Sequence, residues 1–232
     1  LIGKWHMAGD GEEPWDFVVP PDPPGRPGGK GPFNKNLMPN AQGFSYFFGT
    51  PMHNGFTKDV DLRRFVVELM RNGEVVESPA DLDKLTKVYT HEAVNFIRDN
   101  KDRPFFILLS HNMPHVPLAV SDDFRGKSSR GLYGDAIEEI DWSVGQVVSE
   151  LDSLNLLQDT LIVFLSDNGP EVRAELENDV GSAGALRGGK YSNWEGGVRV
   201  PAIFYWSGAI PSKTIRDGVF SLMDIFPTVA AL

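Results

Sequence analysis

Four short segments of the chain combine titratable side chains with glycine or proline. Gly3-Lys4-Trp5-His6 sets an ammonium and an imidazole on one face wherever the segment is extended, although a Lys-x-His triplet alone is common on surfaces. In Ser110-His111-Asn112-Met113-Pro114-His115-Val116-Pro117 the prolines hold the backbone extended and restrict its movement. An imidazole fixed there can hand a proton to a leaving oxygen near neutral pH; the plainer role is a hydrogen bond to a loop carbonyl. His115, between two prolines, is preferred for the chemistry, and His111 reads as structural or rim. Asp167-Asn168-Gly169-Pro170 offers a carboxylate and a carboxamide, hard oxygen donors suited to Ca²⁺ or Mg²⁺, and the same residues also make an ordinary Asx turn without metal. Around Lys190, the pairs Gly188-Gly189 and Gly196-Gly197 let backbone come close to a ligand while the ammonium supplies a point charge for an anion. Glu195 and Arg199 read as a pair that braces the turn.

Buried strands and periodic helices must position these groups. Pro104 to Ser110 is a continuous apolar run of strand length, as in a parallel sheet covered on both faces, and a polar cluster follows at once. Thr160 to Leu165 predicts a second strand ending in Ser166-Asp167-Asn168-Gly169, and Pro201 to Trp206 a third. Ser78-Pro79-Ala80-Asp81 is read as a helix start, ahead of a stripe through Leu82, Leu85, Val88, Tyr89, Phe96 and Ile97. Gly134 to Leu154 carries the clearest helical period, with Asp135 near its start, and Leu222 to Leu232 shows helical spacing again. Residues 9–43 are dense in Gly and Pro and predict a long surface loop. Alternating helices and strands argue for an α/β domain with a largely parallel sheet, whose ligands bind beyond the carboxyl ends of the strands.

Composition removes several functions. The 232 residues suit one domain with a substantial core, at 41% hydrophobic and 23% charged. A formal charge of -10 and a pI near 4.9 have the wrong sign for tracking a phosphate backbone, so nucleic acid is excluded as a partner. With no cysteine, the chain holds no disulfide, thiolate metal site or Cys nucleophile. No apolar run approaches the ~20 residues that cross a bilayer.

In this order, Gly3-Lys4-Trp5-His6, Gly43-Phe44-Ser45-Tyr46-Phe47-Phe48-Gly49-Thr50-Pro51, Phe105 through Pro117, Asp167-Asn168-Gly169-Pro170 and Arg187 through Pro201 resemble the sulfatase family. The resemblance is to its arylsulfatase-like, formylglycine-dependent branch within the alkaline phosphatase superfamily, and it covers nearly the whole chain. It implies an α/β/α sandwich, incomplete at both ends here, with residues 1–232 forming part of a single catalytic domain. It implies hydrolysis of a sulfate monoester, aryl or carbohydrate. In such enzymes a Cys or Ser in a Cys/Ser-x-Pro-x-Arg segment is oxidised to formylglycine, whose hydrate attacks sulfur. That segment is not among these residues; in the family it precedes the Lys-x-His triplet, as does an Asp pair that completes the metal site. The chain is therefore expected to begin after both and to be inactive alone.

Carried over residue by residue, Lys4 and Lys190 resemble the lysines that contact sulfate oxygens, and His6 the base acting on the hydrate. His115 resembles the histidine that protonates the departing alcohol, and Asp167 and Asn168 two ligands of the cation, Ca²⁺ with Mg²⁺ as the alternative. His53 stands where many arylsulfatases carry a Ser that contacts the hydrate, so it is assigned to substrate binding with a changed side chain. His91, within a predicted helix, matches no motif and reads as surface. The family also implies a periplasmic, extracellular or lysosomal setting. Two other functions stay open: a phosphomonoester or phosphodiester hydrolase of the same superfamily, which a carboxamide at Asn168 disfavours because a zinc site would prefer His there, and a non-catalytic binder of sulfated glycans.

Overall fold

The computed structural model describes residues 1–5, 35–54, 67–172 and 181–232, which fall into two compact units, 1–154 and 155–232. In the first, strands β1 (Ile2–Gly3), β2 (Phe48–Gly49), β3 (Leu69–Arg71), β4 (Glu74–Glu77) and β5 (Leu109–Ser110) form one sheet in the order β4-β3-β2-β1-β5. The β2-β1-β5 part is parallel, and β3 and β4 extend it as antiparallel strands. Ile2, Phe48 and Leu69 bury one sheet face with Leu85, Tyr89 and Ala93 of the helix α1 (Leu85–Asn100). These helix positions recur every four residues, as one face of a helix requires. The helix α2 (Gly131–Ser153) lies against α1, tied by a hydrogen bond between the buried hydroxyls of Thr90 and Ser143 (2.6 Å) and by Arg98 gripping both carboxylate oxygens of Glu150 (2.7 Å each).

The run Pro104 to Ser110 enters the ladder only at its end. Its partner β1 is two residues long, so regular pairing stops after Ile2↔Leu109 and Gly3↔Ser110. Ile107 and Leu109 pack on the core while Phe106 and Leu108 stay exposed, an alternation of period two where both faces were expected to be covered.

Two helix starts also differ from the predicted ones. Ser78 does not cap α1; its hydroxyl reaches Glu68 Oε1 (3.4 Å), and Asp81 accepts from the Asp83 N–H (3.1 Å) to open a 3₁₀ turn at Leu82–Lys84 that leads into the helix. The helix α2 begins at Gly131, three residues before the predicted boundary. Asp135 instead turns its buried carboxylate back to accept from the N–H groups of Gly126, Lys127 and Ser128 (2.7, 3.0 and 2.7 Å). Burial opposes the charge, but these donors and the nearby Arg125 leave the carboxyl below its usual range. Its contribution to stability is therefore in place at neutral pH and disappears as acid titrates it through that lowered value.

Glycine sets the spacing of the parallel strands at their carboxyl ends. Gly3 has φ +112°, and a Cβ there would strike the Ser110 carbonyl; a Cβ on Gly49 would strike the Gly3 carbonyl. Gly49→Ala is expected to cost about 1–3 kcal/mol by forcing β2 away from β1. Chemical denaturation measures this, and an unchanged midpoint would contradict it.

In the second unit β6 (Ile162–Leu165) pairs with β7 (Ala202–Tyr205) in antiparallel register, Ile162 opposite Tyr205. The short helix α3 (Glu195–Val198) precedes β7. Ser221 and Asp224 form a capping box around the 3₁₀ turn Leu222–Asp224, and α4 (Ile225–Ala231) follows with Phe226 and Val229 exposed. Of the loop expected over 9–43, residues 35–43 are described: they make 3₁₀ turns at Lys35–Leu37 and Pro39–Gln42, while 9–34 lie outside the described residues.

Candidate active site

Because β1, β2 and β5 run parallel, the segments leaving their carboxyl ends share one edge of the sheet. Lys4 follows β1, Thr50 to Asn54 follow β2, and His111 to His115 follow β5. The Lys4 N–H donates to the Ser110 carbonyl (2.6 Å) and the Trp5 N–H to the Thr50 carbonyl (2.9 Å), so the Lys4 segment is held between the other two. The Trp5 ring packs against Leu1, Met38, Phe47 and Met70 and is anchored through its N–H to the Leu37 carbonyl (2.7 Å).

At this edge the imidazoles of His53 and His115 stack, with ring centres 5.1 Å apart and planes 27° apart. Nδ1 of His53 lies 2.7 Å from the Asn54 carbonyl and Nδ1 of His115 2.6 Å from the Val116 carbonyl. A carbonyl only accepts, so Nδ1 carries hydrogen in both rings and Nε2 is the nitrogen at which each can gain or lose a proton. The loop holding His115 is not extended. Its prolines follow cis peptide bonds, and the His115 N–H closes a turn onto the Asn112 carbonyl (3.1 Å). His111 points toward α2, where Nε2 meets Ser143 Oγ at 3.1 Å, and burial pushes its pKa from 6.5 down to about 4. It is neutral at physiological pH. His91 is exposed beside the edge of the Trp142 ring.

The second unit carries the other candidates on two interlocked loops. Asp167 and Asn168 follow β6 directly. The Gly169 N–H donates to the Gly197 carbonyl, the Lys190 N–H to the Pro170 carbonyl and the Gly196 N–H to the Arg187 carbonyl, each at 2.8 Å. A Cβ on Gly169 would meet the Gly196 carbonyl, one on Gly189 the Pro170 carbonyl, and one on Gly196 the Gly188 carbonyl. These glycines let backbone approach backbone, whereas the sequence suggested approach to a ligand. Lys190 and the Asp167-Asn168 pair are thereby placed on neighbouring loops of one unit. Asn168 donates its amide N–H to the Gly169 carbonyl (2.9 Å), which leaves Oδ1 as the donor atom it can offer a cation. The Arg187 guanidinium lies 3.7 Å from the centre of the half-exposed Trp194 ring, and Glu195 pairs with Arg199 at 3.4 Å in solvent.

Lys4, His53 and His115 thus share an edge of the first unit; Asp167, Asn168 and Lys190 share the loop pair of the second. His6 lies outside the described residues. Sequence reasoning missed the buried polar side chains Thr50, Tyr89, Asn54 and Asn112 beneath the histidines. Asn112 and Asn54 flank motif histidines, which was the available signal.

The profile of the Sulfatase family matches residues 2–232. The chain belongs to the sulfatase family. Human steryl-sulfatase is 49% identical over 167 residues, covering 71% of this chain and 29% of that protein. The dog N-acetylgalactosamine-6-sulfatase is 34% identical over 244 residues, covering 100% of this chain and 42% of that protein. Among solved structures, the PsFucS1 sulfatase from Pseudoalteromonas sp. superposes with a TM-score of 0.78 at 28% identity, covering 99% of this chain and 46% of that one. Ps i-CgsB in complex with k-i-k-neocarrahexaose gives 0.72 at 29% identity, covering 99% and 49%. This sulfatase chain therefore spans less than half the length of these relatives, and its fold is theirs: an alkaline phosphatase-like α/β architecture with a mostly parallel core.

Asp167 and Asn168 fit a hard divalent cation in donor type, since both offer oxygen, and fit zinc poorly. Among the described residues no group of three or more His, Cys, Asp or Glu comes together, so these residues supply two donors toward the ~6–8 oxygens that Ca²⁺ takes. Among the described residues no helix is long and apolar enough to cross a membrane.

Proposed function

We propose that the protein carrying this chain hydrolyses sulfate monoesters of aryl or carbohydrate alcohols. The observation that carries the proposal is the stacked His53–His115 pair beside Lys4 at the carboxyl edge of the parallel strands, in a chain of the sulfatase family. His115 keeps Nδ1–H on a backbone carbonyl and uses Nε2 to protonate the departing alcohol. His53, stacked on it, hydrogen-bonds the substrate. The ammoniums of Lys4 and Lys190 bind sulfate oxygens, and His6 serves as the base. Fixed cations aimed at oxygens that gain charge stabilise the transition state more than the ground state.

Two groups outside these residues complete the reading. Asp167 and Asn168 would hold Ca²⁺, or Mg²⁺, which supplies positive charge beside the sulfate. A formylglycine from a Cys/Ser-x-Pro-x-Arg segment would supply the nucleophilic oxygen; the 232 residues contain no such segment and are expected to release no sulfate alone. A carbohydrate ester is favoured by the relative named for N-acetylgalactosamine-6-sulfate and the neighbour bound to neocarrahexaose, and an aryl or steryl ester by the relative named for steryl sulfate. The setting proposed is periplasmic, extracellular or lysosomal.

Release of sulfate from p-nitrophenyl sulfate and from a sulfated saccharide, against release of phosphate from p-nitrophenyl phosphate, tests this with the full-length protein. Sulfate release should dominate. Faster phosphate release would make it a phosphohydrolase, and saturable binding without either release would make it a glycan binder. Chelation should abolish turnover, with recovery on Ca²⁺ or Mg²⁺; recovery on Zn²⁺ alone would overturn the assignment of Asp167 and Asn168.

A further inference from the structure

Beneath the histidine pair lies a chain of polar side chains that solvent does not reach. Thr50, Asn54, Tyr89 and Asn112 are each no more than 2% exposed. Tyr89 of α1 donates its hydroxyl to Asn112 Oδ1 (2.9 Å). Asn112 Nδ2 donates to Asn54 Oδ1 (2.7 Å) and to Thr50 Oγ1 (3.0 Å), and Thr50 donates to the Met52 carbonyl (2.9 Å). Asn54 Nδ2 ends the chain by donating to the carbonyls of His115 (2.9 Å) and Pro117 (3.3 Å).

A buried amide costs stability unless its hydrogen bonds are made, so this one is held in a single orientation by its partners. Asn54 occupies a specific place: it is the neighbour of His53, its own carbonyl takes the His53 Nδ1–H, and its amide grips the carbonyl of His115. One side chain therefore links the β2 segment to the β5 segment at the point where the two imidazoles stack. We propose that Asn54, held by Asn112 and Tyr89, is a positioning residue that sets the reach of His115 Nε2 toward the ester oxygen. The inference rests on the proposed role of His115 as acid.

Loss of a positioned acid hurts most where the leaving alcohol is a poor one. In the full-length protein Asn54→Ala is expected to lower kcat on an alkyl or sugar sulfate by ~10–100-fold, with KM little changed and p-nitrophenyl sulfate affected by no more than about threefold. Tyr89→Phe, which keeps the buried ring and removes only the hydroxyl, should show the same selectivity at about 3–10-fold. In a His115→Ala background Asn54→Ala should add nothing, because the two act through one proton. Equal losses on both substrates, or full additivity, would overturn the inference. If the wild type turned over no sulfate, the proposed activity would fail instead. The crystal structure of Asn54→Ala then decides positioning on its own: the His53–His115 ring separation should depart clearly from 5.1 Å, and an unmoved pair would overturn the inference.

Discussion

His115→Ala in the full-length protein is expected to lower kcat by ~10²–10⁴-fold on sulfate esters of poorly departing alcohols, the usual range for a general acid. The geometry gives the reason. The Val116 carbonyl holds the Nδ1 hydrogen, so the ring offers Nε2, and nothing else on the β5 segment replaces it: His111 is turned toward Ser143 and kept neutral by burial. His53 stacks on His115 but is carried by the segment that follows β2. Steady-state rates on paired alkyl and aryl sulfates measure the effect, and the aryl ester should lose less. A near-normal rate on the alkyl ester would remove His115 from the reaction.

Lys190→Ala is expected to reduce kcat/KM by ~10²–10³-fold, as removal of one fixed donor at a developing oxyanion does. Its backbone is pinned by the Pro170 carbonyl, so the stem that carries the ammonium starts from a defined point. Lys190→Arg should recover only part of the loss, because a planar guanidinium does not occupy the position of a compact ammonium. Both rates follow from saturation curves; full activity of the alanine variant would exclude Lys190 from sulfate binding.

Much of this arrangement can be read in the residues themselves. The stripe through Leu85, Val88, Tyr89, Phe96 and Ile97 declares α1, and the polar clusters after Leu109 and Leu165 declare the loops that carry histidine and carboxylate. Antiparallel pairing of β7 with β6 is not legible, because strand direction depends on the path of the intervening chain. The start of α1 is misread because two capping signals, Ser78 and Asp81, compete, and only tertiary contact with Glu68 takes Ser78 away. Asp135 carries the same lesson. A carboxylate near a helix start resembles a cap, while its actual partners are three loop N–H groups upstream. Glycine is ambiguous for a related reason: Gly189 and Gly196 mark close approach, and sequence does not say of what. The polar chain from Tyr89 to Asn54 joins residues far apart in sequence, beyond the reach of any local pattern.

The loops that carry Asp167 and Lys190 are joined main chain to main chain, by the Lys190 N–H on the Pro170 carbonyl and the Gly169 N–H on the Gly197 carbonyl. They behave as one mechanical part. A bulky replacement at Gly169, Gly189 or Gly196 would displace carboxylate and ammonium together, so a genetic screen would record such lesions as all-or-none nulls, unlike graded defects at the histidines.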